Sequence, residues 1–149
     1  MTHIVTRAAP PARLVLAGAV LLASCAAQAW AQTGKHAWTQ AAVSGGLHSL
    51  NHAATVAYQP TAHVPAGAVI TQVYADRDYV GQADVQTSLC WNGTKHCVDI
   101  VGRSINTSAF NGLDAGQPMY LVHRARGWRG SRPPVYVKGN VTVWYARHP

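Results

Sequence analysis

An all-β fold, a small antiparallel β-sandwich or barrel, is what this 149-residue sequence predicts. Three observations predict it. Beyond the N-terminal segment, no window of about twelve residues shows the 3.6-residue apolar period of an amphipathic helix. Short alternating runs rich in valine, threonine and tyrosine recur instead, with Gly, Pro, Asn and Asp between them. The third observation is the stretch 89–102, where two apolar runs flank Asn92-Gly93-Thr94-Lys95, residues of the chain-reversing type.

Cys90 and Cys97 sit symmetrically about that turn. A loop over residues 92–95 therefore sets Trp91 opposite His96 and the two cysteines opposite each other. Facing Cα atoms of an antiparallel pair lie about 4.5–5.5 Å apart, within the reach of a disulfide. The spacing predicts a hairpin closed by its own disulfide, Cys90–Cys97.

The N-terminus supports that chemistry. Arg7 and Arg13 precede an apolar run over residues 14–23 that is too short to span a bilayer, and Ala29-Trp30-Ala31 forms an A-x-A cleavage site. Residues 1–31 read as a secretory signal peptide, and 32–149 as a single all-β domain with a loose leader over 32–37. Leu22-Ala23-Ser24-Cys25 also resembles the lipobox of bacterial lipoproteins, so membrane attachment is expected only if Cys25 is lipidated. The well-formed A-x-A motif favours cleavage after Ala31. Either way Cys25 leaves the thiol inventory and one cysteine pair remains. The expected destination is the periplasm, where disulfides persist.

The strands follow in order. Residues 36–43 read as an edge strand anchored by Trp38 and Val43. Residues 53–59 alternate around Val56 and Tyr58 and stop at Pro60. Residues 68–77 set Val69, Thr71, Val73 and Ala75 on one face. The hairpin arms are 84–91 and 96–101, and 104–116 reads as a loop pinned by Phe110 and Leu113. Residues 119–123 form a strand, 124–134 a basic Gly/Pro loop, and 135–138 with 141–146 a second hairpin about a Gly139-Asn140 turn. Trp38, Trp91 and Trp144 are assigned to the core.

The mature chain keeps ten of the twelve basic residues and all five acids, every one an aspartate, for a net charge of +5 with histidines neutral. Such a surface is drawn to acidic partners. Export leaves nucleic acid out. Catalysis finds little support: the aspartates are scattered rather than paired, and there is no Gly-x-Ser-x-Gly elbow. His48 and His52 are four apart, but on a strand that spacing separates them by about 13 Å, too far to share an ion. No metal and no cofactor is expected. The candidate site is the basic loop, where Arg124, Arg126, Arg129 and Arg132 surround Trp128. Arginines beside an exposed ring suit recognition of carboxylate or phosphate, unless Trp128 tucks back into the core and the arginines only solvate the loop.

Leu89-Cys90, Cys97-Val98-Asp99-Ile100-Val101-Gly102, Phe110-Asn111-Gly112-Leu113, Pro118, Leu121-Val122 and Asn140-Val141-Thr142-Val143-Trp144-Tyr145 together resemble the periplasmic flagellar protein FlhE family. The resemblance runs from about Trp38 to Tyr145, and Cys90 and Cys97 carry the family's cysteine positions. It implies a Sec-exported, non-enzymatic, disulfide-bonded β protein of the flagellar export and assembly machinery, linked to swarming and to limiting proton leakage. Its expected partners are export-gate or rod proteins in the periplasm. The competing expectation is an inhibitor of, or binding module for, a cell-wall hydrolase. Lysozyme-like targets are usually cationic and would be repelled by a +5 chain.

Overall fold

The structure, a computed structural model, describes residues 36–147. The expected signal peptide over residues 1–31 with Cys25, residues 32–35 of the expected leader, His148 and Pro149 lie outside the described residues. The described residues form eight strands and no helix: β1 (His36–Val43), β2 (Ala53–Tyr58), β3 (Ala68–Asp78), β4 (Asp84–Trp91), β5 (His96–Asp99), β6 (Ser104–Thr107), β7 (Met119–Gly127) and β8 (Lys138–Arg147). They pair into two four-stranded antiparallel sheets, ordered β1-β8-β3-β6 and β2-β7-β4-β5. Each sheet is open, which makes the domain a sandwich rather than a barrel.

The hairpin register is the one the turn predicts, with Cys90 opposite Cys97 and Trp91 opposite His96. The cysteines are bridged, their Cα atoms 4.0 Å apart. Asn92 and Gly93 take positive φ of 46° and 119°, the left-handed backbone that an Asn-Gly turn tolerates at least cost.

Between the sheets the core divides in two. The larger cluster includes Trp38, Tyr58, Ile70, Leu89, Phe110 and Leu121. The smaller one holds Leu47, Ala83, Val85, Ala125, Val135 and Val137. The inward positions of two adjacent strands show the division: β4 runs Val85, Thr87, Leu89, and β7 runs Ala125, His123, Leu121. A polar pair therefore lies between two apolar regions.

Several expectations are corrected. Gly139 and Asn140 do not turn the chain. They lie inside β8, the strand flanked by β1 and β3, with Gly139 opposite Ala42 and Arg77. A side chain at 139 would collide with Tyr58 and Leu121 of the facing sheet, so this glycine serves close approach between the layers. Val135 bridges to Leu47 instead of entering a hairpin with β8. Strand β3 does not keep one alternation, because its register against β8 shifts between Ile70 and Gln72. Ala68 and Ile70 face inward before the bulge, and Val73 and Ala75 after it. The region 104–116 is not all loop, since β6 adds an edge strand to β3. Trp144 alternates with buried Val143 and Tyr145 and so sits half-buried on the outer face, not in the core. Val43, expected as an anchor, is 61% exposed. The strand read over residues 36–43 is β1, with those same bounds.

Candidate functional site

The five residues of the predicted basic loop do not form one cluster. Strand β7 continues to Gly127, so Arg124 and Arg126 project from a sheet and not from a loop. Arg124 lies on the outer face, opposite Gln86 on one side and Ala53 on the other. Arg126 falls where the β4–β7 register shifts, a position at which a strand re-aims a side chain. Its guanidinium donates from Nε to Gln86 Oε1 at 2.8 Å and from Nη1 to Asn51 Oδ1 at 2.6 Å. Both acceptors are neutral, so the arginine is held in place with its charge uncompensated.

Trp128 is half-buried against the smaller core cluster. Its ring anchors the loop from inside. Arg129 and Arg132 remain on the outside, with Arg129 in a left-handed conformation (φ 45°) and Arg129 Nη2 3.5 Å from Asp84 Oδ2. That ion pair is well exposed and worth little.

The loop's real neighbour is the β3–β4 connection, residues 79–83. Gln82 N donates to Ser131 Oγ at 2.8 Å, which ties the two loops together. Gly81 has a φ of 106°, and any side chain there would strike Ser131. Three shallow clefts of about 300–370 Å³ meet at Gly81. One lies between Val80 and Tyr136 and is bordered by Arg132. The next is bordered by Arg129 and Gln82, and the last by Arg77, Asp78 and Arg103. Arg77 spans the sandwich at its mouth, donating to Val85 O at 2.5 Å and to Gly102 O at 2.9 Å, with its guanidinium 5.6 Å from the Tyr79 ring.

This end of the molecule also carries the apolar side chains that the fold leaves out. Val80 is 92% exposed, Val101 89% and Tyr136 55%. Sequence reasoning missed them. The signal for Tyr136 was present, because it lies between inward-facing Val135 and Val137; Val80 sat unremarked in a glycine-broken stretch.

Beneath this end lies His123, fully buried, with Nδ1 2.9 Å from Thr87 Oγ1 and Nε2 without a hydrogen-bond partner. Burial, with the nearby charge of Arg77, holds its pKa down at about 4, so the ring is neutral at neutral pH. The Tyr58 hydroxyl is likewise buried and unpartnered, and burial followed by the charge of Asp76 pushes it up to about 12. His48 and His52 are both exposed on a small cleft of about 60 Å³. Among the described residues no three His, Cys, Asp or Glu side chains group as metal ligands would.

Fold and site together define a disulfide-pinned β-sandwich with one cationic, partly apolar end. Among solved structures the chain is similar to the crystal structure of FlhE, at a TM-score of 0.60 and 22% identity, over 77% of this chain and 99% of that one. The chain thus has the FlhE fold. No protein-family model matches it, and neither does any curated protein.

Proposed function

We propose that this protein is an exported, non-catalytic accessory of the flagellar export and assembly machinery, acting by protein contact in the periplasm. The observation that carries the reading is the FlhE likeness, which takes in nearly the whole of the FlhE chain. The Cys90–Cys97 bridge agrees with an oxidising compartment. The cationic end supplies a surface for contact, and the partners in this reading are export-gate or rod proteins. Deletion of the gene in its native host tests it. Swarming should fall, and a copy with residues 1–31 should restore it while a copy without them does not. Unchanged swarming and flagellation in the deletion strain would overturn the proposal.

A further inference from the structure

Every large apolar side chain that the described residues leave exposed lies at the same end of the sandwich. Val43 closes β1 opposite Lys138, Leu50 bridges to Ala125, and Val80, Val101 and Tyr136 lie on the loops around them. Isolated exposed apolar residues need no explanation, but five gathered at one end of a small domain mark a contact surface.

The charges fall the same way. Arg77, Arg103, Arg126, Arg129, Arg132 and Lys138 belong to this end, against Asp76, Asp78, Asp84 and Asp99. The two ion pairs present, Arg103–Asp78 and Arg129–Asp84, are each 3.5 Å long and open to water, and open pairs of that kind exchange partners at little cost. Arg132 makes no ion pair among the described residues and borders the Val80–Tyr136 cleft.

We infer that this end is the docking surface for an acidic protein segment carrying an apolar anchor, the anchor entering between Val80 and Tyr136 and its flanking carboxylates meeting Arg132 and Arg129. The inference rests on the reading that the protein works by contact, and it names the partner's chemistry. Concavity with exposed apolar walls suits one inserted side chain. Arginine forks around it suit carboxylates, which they bind in two-pronged fashion. The Gln82–Ser131 hydrogen bond joins the two loops, so the cleft is largely preformed.

The probe is a fluorescently labelled peptide of alternating aspartate and leucine, titrated against the mature protein and followed by anisotropy. It should bind at least tenfold more tightly than an aspartate–serine peptide or a lysine–leucine peptide, and more weakly as salt rises. Val80→Ser, Tyr136→Ser and Arg132→Gln should each weaken it about tenfold at unchanged melting temperature. Lys95→Gln, at the opposite end, should leave it alone. Equal affinity for the three peptides, or no effect of the Val80, Tyr136 and Arg132 variants, overturns the inference. So does tighter binding to phosphatidylglycerol vesicles that the same variants abolish, since the surface would then take a membrane. The two readings fail separately. Variants that lose the peptide yet restore swarming to the deletion strain sink the surface alone. A deletion strain that swarms normally sinks the flagellar role and leaves the surface standing.

Discussion

At the hairpin end of the sandwich, Trp38, Phe110, Ile70, Leu89 and Leu121 pack between the sheets, and the Cys90–Cys97 bridge joins β4 to an edge strand. At the other end the fully buried apolar side chains are Leu47, Val85, Val135, Val137 and two alanines, with Tyr79 and Trp128 packed half-buried against them, while Val80, Val101 and Tyr136 stay in water. Only β4 and β7 contribute buried side chains to both. The difference teaches that the large cluster carries the stability, and that the smaller one serves to present loops. Thr87 and His123 form the boundary, where the inward face turns polar for one row.

The comparison breaks or sharpens most clearly when the same deletion is made at both ends. Leu121→Ala should cost about 3–5 kcal/mol and Leu47→Ala about 2–3 kcal/mol, because the smaller, looser cluster collapses more readily around a void. Urea denaturation measures both, and equal costs would erase the distinction between the ends.

The boundary itself should respond to acid. His123 is held at about 4 in the folded protein, against about 6.5 for a free histidine, so the unfolded chain binds the proton first as pH falls. Stability contributed by neutral His123 is then fully present above pH 6.5 and lost between 6.5 and 4, at up to about 1.4 kcal/mol per pH unit. His123→Gln should flatten that limb of the stability–pH curve. An unchanged limb would remove His123 from the account.

The smallest effect belongs to the bridge. Cys90→Ser with Cys97→Ser should lower stability by about 2 kcal/mol, since the loop it closes is short. Peptide binding at the far end should persist in the folded fraction, and its loss would mean that the two ends are coupled.

Much of this architecture was legible beforehand, and the misses have specific causes. Strand β4 and the Cys90–Cys97 register follow from local turn chemistry, which acts within a few residues and needs no distant partner. The Gly139-Asn140 pair looked like a turn by the same local rule, yet β8 passes straight through it. What overrode the rule was distant: β1 and β3 on either side, and Tyr58 and Leu121 above. Strand β3 failed as a strict alternation because one bulged residue inverts every side chain beyond it.

By itself, then, the sequence determined the all-β class, the disulfide-closed hairpin, and the cationic residues that remain once the predicted signal is set aside. Alternation, turn residues and charge all act locally or by composition. Only the tertiary structure decided that Arg124 and Arg126 belong to a strand, that Trp128 turns inward, and that Val80 and Tyr136 border one cleft between two loops. Those outcomes depend on which segments, some fifty residues apart, arrive at the same end of the sandwich. Sheet pairing settles that, and no single stretch of chain encodes it.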